Sequence, residues 1–264
     1  MNILSNIADF KRKEVASRKA LYPIALLEKS LFFNTKPVSL VHYLRRADMM
    51  GIIAEFKRKS PSKGTINAYS SIDHVSIGYM QAGASALSIL TDEEFFGGQN
   101  KDLTRARELN YCPILRKDFI VDPYQVIEAK SIGADAILLI AAILTVDEVL
   151  ELAKLANNLG LETILEVHSE LELMHRNQYV NIVGVNNRNL VDFSVSLQTS
   201  YDMSKLIGKD VLAISESGIS SPQDVIDLRK AGYEGFLIGG QFMATADPAK
   251  SCQQFISKLI SIGK

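Results

Sequence analysis

From residue 51 onward the sequence predicts an α/β fold of eight strand–helix units closed into a (β/α)8 TIM barrel, preceded by a helical extension. Three observations predict it. Apolar runs of strand length begin near residues 51, 85, 113, 135, 161, 181, 211 and 235, with helical stretches between them. The runs at 86–90, 136–142 and 236–238 are apolar almost throughout, as strands covered on both faces must be. Six runs end on side chains able to do chemistry, and polar groups at the C-terminal ends of parallel strands are how such barrels assemble active sites.

The elements follow in order. Residues 1–50 read as helical, with charge clusters at 11–14 and 45–46 and a break at 34–37, and form an extension covering part of the barrel within one domain of residues 1–264. Helices are expected near 70–82, 99–109, 123–131, 146–159, 169–177, 198–206, 222–231 and 247–262. Asp122, Ser221 and Asp247 each precede a proline, which pairs an N-cap side chain with the residue best suited to the first helical position. Thr145 and Glu148 have capping-box spacing. Gly83, Gly133, Gly160 and Gly232 fall where helices should end. An open doubly wound sheet is the alternative fold, but eight near-equal units close more naturally.

Net charge is −1, with acids and bases interspersed, which argues against a nucleic-acid partner because phosphate contacts need a basic excess. Cys112 and Cys252 are too few for a disulfide framework or a thiolate metal site, so the default setting is reducing and cytoplasmic. No apolar run approaches a membrane span, and Ile3, Leu4 and Ile7 are soon followed by charges instead of a signal-peptide core.

The first strand is the most telling. Period-two alternation puts Ile53, Glu55 and Lys57 on one side, and burying unpaired charges for packing is costly. Later runs lead to Lys117 and Asp118, to Glu166, to Asn186 and Arg188, to Glu216, Ser217 and Gly218, and to Gly239 and Gly240. Mutual neutralisation lets several such charges share a site. Glycines after the seventh and eighth strands sit where many barrels hold phosphate. The basic, glycine-ended stretch 58–64 suits a loop that closes over an anion. The four histidines lack metal-ligand spacing and read as structural, and the cluster at 11–13 reads as a solvated face.

AEFKRKSPSKG at 54–64 closely resembles the first strand and loop of indole-3-glycerol phosphate synthases. LTD at 90–92, FFGG at 95–98, LRKDF at 115–119, LEVH at 165–168, GVNNRNL at 184–190 and SESGI at 215–219 occur in that family's order and span nearly the whole barrel. The resemblance implies conversion of 1-(2-carboxyphenylamino)-1-deoxyribulose 5-phosphate to indole-3-glycerol phosphate, with loss of CO2 and water, without cofactor or metal. It implies a carboxy-lyase of tryptophan biosynthesis acting on a small phosphorylated aromatic substrate; a monomer is the default expectation, the sequence itself leaving the oligomeric state open. Its catalytic set falls on Glu55, Lys57, Lys117, Glu166, Asn186, Glu216 and Ser217. Lys117 is the expected general acid, its pKa lowered by burial and neighbouring cations. Substrate and phosphate binding falls on Lys59, Ser60, Arg188, Gly218, Gly239 and Gly240, and an apolar slot for the anthranilate ring on Phe96, Phe119 and Leu138. Position 240 departs from related chains, which often carry Ser or Glu there; backbone amides can hold phosphate without it. The competing readings are a phosphosugar isomerase, a Schiff-base aldolase, or a barrel that only binds an aromatic phosphate.

Overall fold

The computed structural model describes residues 3–189 and 192–263. Eight parallel strands form a closed barrel: Ile52–Phe56, Ala86–Leu90, Ile114–Lys117, Ala136–Ile140, Glu162–Val167, Ile182–Asn186, Leu212–Glu216 and Gly235–Ile238. They are counted first to eighth below. The first strand pairs with both the second and the eighth, so the sheet has no edge and the open doubly wound alternative is excluded.

The caps behave as their residue types require. Asp122, Ser221 and Asp247 accept from the amides of Tyr124, Asp224 and Lys250, each beside its proline. Thr145 and Glu148 close a capping box at the start of Val146–Asn158. Gly133 ends Pro123–Ile132 at φ 94°, a left-handed conformation that glycine adopts without a Cβ penalty. The stretch expected as a helix near 169–177 is a 3-10 turn, Glu170–His175. None of its residues is buried, so no apolar stripe holds an α-helix there. Two small elements escaped the sequence reading. One is an antiparallel hairpin pairing Lys59–Ser60 with Gly64–Thr65; the other is a four-residue helix, Gly240–Met243.

The barrel interior is filled by inward-facing Ile53, Leu115, Leu138, Ile164 and Leu212. The N-terminal segment closes both ends of that column. Leu40 and Leu44, from the helix Leu40–Leu44, plug the end where the strands begin and join the interior cluster. A Cβ at Gly235, which opens the eighth strand, would stand 2.5 Å from Ile214 and 3.2 Å from Leu44. Leu4 and Ile7, from the helix Ile3–Leu21, belong to the same cluster at the opposite end. Among the described residues no helix is long and apolar enough to cross a membrane.

The N-terminal helix is also fastened by charge. Lys11 is buried, 1% exposed, with its ammonium 2.7 Å from Asp92, 3.2 Å from Asp118 and 2.9 Å from Glu14. Arg18 lies 2.6 Å from Glu128, which binds Arg116 at 2.6 Å, and Arg116 binds Asp118 at 3.1 Å. Lys11 is therefore not part of a solvated face, whereas Lys13 is exposed. A lone lysine in a charge run gives no sequence signal for burial, because its acceptors lie some 80 and 107 positions away.

Removing one partner of a buried ion network leaves the others uncompensated. Lys11→Ala should lower unfolding stability by about 3–5 kcal/mol in a denaturant titration, with Lys13→Ala close to neutral. Equal, small effects of the two substitutions would show that the network does not fasten the helix.

Candidate active site

A cleft of about 580 Å3 opens where the strands end. Its floor carries Glu55, Lys57, Lys117, Glu166, Asn186 and Glu216, each delivered by a different strand end except the Glu55 and Lys57 pair. Phe96, Phe119 and Leu138 form an apolar side, joined by Leu4, Ile7 and Ile140. Ser60, Arg188, Ser217, Gly218, Gly239 and Gly240 stand around the mouth.

The charged side chains bind one another. Lys57 Nζ donates to Glu55 Oε1 at 2.5 Å. Lys117 Nζ donates to Glu166 Oε2 at 2.9 Å and, across the barrel, to Glu216 Oε2. Asn186 Nδ2 donates to Glu166 Oε1 at 3.1 Å, and Asn186 Oδ1 accepts from the Arg188 amide at 3.0 Å. Glu55, Glu166 and Glu216 are all buried. Two glycines make room for them. A Cβ at Gly184 would stand 2.6 Å from Glu216 Oε1, and one at Gly239 would stand 2.3 Å from Glu55 Oε1.

Three carboxylates thus face two ammonium groups in a buried space, so one carboxyl is best left neutral. Burial pushes Glu216 up to about 7, helped by the charge of Glu166 and opposed by Lys117. Its Oε1 is buried and makes no hydrogen bond among the described residues. Burial also acts against ionised Glu166, but Lys117, His168 and Asn186 outweigh it and hold Glu166 below the usual range. For Lys117, burial alone would lower the pKa, as the sequence suggested. The carboxylates of Glu166, Glu216 and Glu55 reverse that and raise it. The expectation of a lowered lysine fails because the neighbours are anions, not cations. Lys117 therefore stays an ammonium, able to donate to a developing alkoxide.

The ring slot is built on packed aromatic rings, with aliphatic side chains beside them. Phe96 and Phe119 meet at 5.9 Å between ring centroids, and Phe95 packs between Phe119 and Phe10 of the N-terminal helix. Asp92 aims this loop by accepting the amides of Phe95 and Phe96 at 2.7 and 3.1 Å, while Lys11 binds its other oxygen.

The mouth differs from expectation at two points. Lys59 does not line the cleft; its ammonium donates to the Glu94 carbonyl, and Lys63 lines the wall instead. Arg58 is spent on Asp102, at 2.6 Å, and on the Phe56 ring. Opposite, Ser217 adopts φ 68° and Gly218 φ 80°, so two successive residues are left-handed. That costs a serine about 1 kcal/mol or more and marks a loop shaped for something other than packing. Asn187 braces it, donating to Ser215 Oγ at 2.9 Å and to the Ser217 carbonyl at 3.0 Å. Leu190, the last residue of its motif, lies outside the described residues.

A family model described as indole-3-glycerol phosphate synthase matches residues 4–255. This chain belongs to the indole-3-glycerol phosphate synthase family. It is 46% identical over 258 residues to the indole-3-glycerol phosphate synthase of Bacteroides thetaiotaomicron, covering 98% of this chain and 99% of that one. It is 40% identical over 247 residues to indole-3-glycerol phosphate synthase 2 of Ralstonia nicotianae, covering 92% of each. Among solved structures it is similar to the tryptophan synthase α-subunit of Pyrococcus furiosus, with TM-score 0.62, 14% identity and coverage of 81% of this chain and 99% of that one. At that identity the likeness shows the barrel fold alone.

Several cleft residues had no signal in the family motifs. Leu4 and Ile7 arrive from the N-terminal helix, and Phe193 and Val195 from the loop after the sixth strand. His168, which read as structural, places Nε2 3.4 Å from Glu166 Oε1.

The Glu216 value has a consequence for stability. An acid raised in the folded state contributes stability that is present below its ordinary value of 4.5 and lost as pH rises through about 7. The stability of the wild type relative to Glu216→Gln should fall by on the order of 1–3 kcal/mol between pH 4.5 and 8. A difference constant across that range, measured by chemical denaturation, would show that Glu216 is not the carboxyl left neutral.

Proposed function

We propose that this protein catalyses the conversion of 1-(2-carboxyphenylamino)-1-deoxyribulose 5-phosphate to indole-3-glycerol phosphate, with release of CO2 and water. The observation that carries the proposal is the half-buried Lys117 ammonium, held between Glu166 and Glu216 on the floor of a cleft with one aromatic wall. Carbon attack on a ketone needs a proton at the carbonyl oxygen, and Lys117 is the donor set among carboxylates there. Phe96, Phe119 and Leu138 take the anthranilate ring.

The ring carbon bearing the carboxylate attacks the ketone, and Lys117 gives a proton to the oxygen as it becomes a hydroxyl. Loss of CO2 leaves its bonding pair in the ring and restores aromaticity. The hydroxyl then leaves as water, taking a proton from neutral Glu216, while ionised Glu166 accepts the proton lost from the neighbouring carbon. Glu55 with Lys57, Asn186 and Ser217 hold the charges and the sugar hydroxyls in place. Each well-placed acid or base contributes about 10²–10⁴-fold.

The phosphate end is proposed at the opposite rim. Gly218, Gly239 and Gly240 line the cleft with Ser60 and Arg188, and a Cβ at Gly240 would meet nothing within 4 Å. Lys59 enters this set only by leaving the Glu94 carbonyl, while its backbone stays tied by Lys59 N to Phe96 O at 3.2 Å. The free, buried thiols of Cys112 and Cys252 support a reducing, cytoplasmic setting.

Lys117→Met should nearly abolish turnover while leaving substrate affinity within about tenfold, because the lysine acts chiefly in the transition state. Indole fluorescence follows the product and equilibrium titration gives the affinity. A variant that keeps more than about a tenth of wild-type kcat would remove Lys117 from the acid role.

A further inference from the structure

The proposed reaction consumes a proton. Lys117 and Glu216 each give one and Glu166 gains one, so one proton per turnover must come from solvent. Substrate filling the cleft closes the direct way in. A second cavity, of about 330 Å3, adjoins the first, and Leu4, Asn186 and Arg188 line both. His168 and Glu172 line the second cavity but not the cleft.

We propose that His168 is a proton-relay residue, carrying a proton from Glu172 and the side cavity to Glu166 and thence through Lys117 to Glu216. The proposal rests on the reading of Glu166 and Lys117 as the reacting pair. Its geometry is a row of three groups. Glu172 Oε2 lies 3.3 Å from His168 Nδ1 and accepts the His168 amide at 2.7 Å. His168 Nε2 lies 3.4 Å from Glu166 Oε1, and Glu166 Oε2 accepts from Lys117 at 2.9 Å. The Nε2 atom is buried and makes no hydrogen bond among the described residues, so a small ring rotation suffices to engage Glu166. His175, by contrast, has each ring nitrogen 3.0 Å from a carbonyl oxygen, those of Glu172 and Leu144.

The relay moves one proton and breaks no other bond. Glu166 first passes the proton it took from the substrate to Lys117; Nδ1 of the ring then takes a proton from the Glu172 side, Nε2 gives one to Glu166, and Glu166 and Lys117 hand it on to Glu216, the group left one proton short. The groups facing the ring are Glu166 from the fifth strand, Glu172 from the 3-10 turn, Glu216 from the seventh strand, and Arg188 across the cavity. Burial alone would lower the His168 pKa, but Glu172, Glu166 and Glu216 raise it, towards the range in which a histidine exchanges protons at neutral pH.

The test is steady-state turnover of the carboxyphenylamino-deoxyribulose phosphate by the full chain, in dilute buffer from pH 6 to 9. His168→Asn should lower kcat by at least about tenfold with KM little changed, and added imidazole should restore kcat in a saturable way while leaving the wild type unaffected. His168→Asn with wild-type kcat in dilute buffer would overturn the relay. So would a loss that imidazole does not restore in a variant with unchanged melting temperature. If His168→Asn fails to fold, Glu172→Gln decides, because its amide oxygen still accepts the His168 amide. The relay requires that its kcat falls at high pH and recovers with imidazole, and a wild-type profile overturns it. Glu166→Gln separates the two readings. Full activity in that variant would defeat the assignment of Glu166 itself, whereas an inactive Glu166→Gln beside an unaffected His168→Asn defeats the relay alone.

Discussion

The site depends on one electrostatic constraint: three carboxylates and two ammonium groups share a buried floor that cannot leave all of them charged. Lys117 resolves most of it by bridging Glu166 and Glu216 from the opposite side of the barrel. Removing water strengthens these attractions, but it also penalises every unpaired charge. The proton that remains settles on Glu216, whose second oxygen has no hydrogen-bond partner among the described residues. An ionised glutamate and a neutral one, side by side on one lysine, provide a base and an acid in the same pocket. The parallel barrel makes this possible by bringing strand ends distant in sequence to one rim, while Gly184 and Gly239 leave space for the carboxylates.

The N-terminal helix extends the same logic outward. Its Lys11 neutralises Asp92 and Asp118. Asp118 follows Lys117 directly, and Asp92 caps the loop that presents Phe95 and Phe96. One buried lysine therefore ties the apolar wall, the third strand's end and the covering helix together. Leu4 and Ile7 of that helix close the cleft over the inward-facing column of the barrel. The helix is thus part of the site's wall and not a detached cover.

The barrel was legible because its signals are local. Strand runs, proline-following N-caps and the Thr145–Glu148 box each involve a few neighbouring residues, and all recur in the structure. The floor of the site was legible for a related reason, since strand alternation forces Glu55 and Lys57 to one side and strand ends must gather at one rim. What stayed hidden depends on distant partners. The direction of the Lys117 shift follows from Glu166 and Glu216, 49 and 99 positions away. The burial of Lys11 follows from acids in two later loops. His168 gave no signal because its significance lies in which nitrogen is left without a partner. Lys59 is a misplacement of another kind: its string matches, but in the short hairpin of residues 59–65 its side chain turns to a backbone carbonyl.

The most direct test of the charge arrangement is a carbon-13 NMR titration of the glutamate side-chain carboxyls in the free protein, with Glu166→Gln and Glu216→Gln used for assignment. Glu216 should titrate near pH 7, and Glu166 should remain ionised through the acid limb to below the ordinary glutamate value. Both carboxyls ionised at pH 5, or Glu166 titrating near neutrality in place of Glu216, would contradict the account.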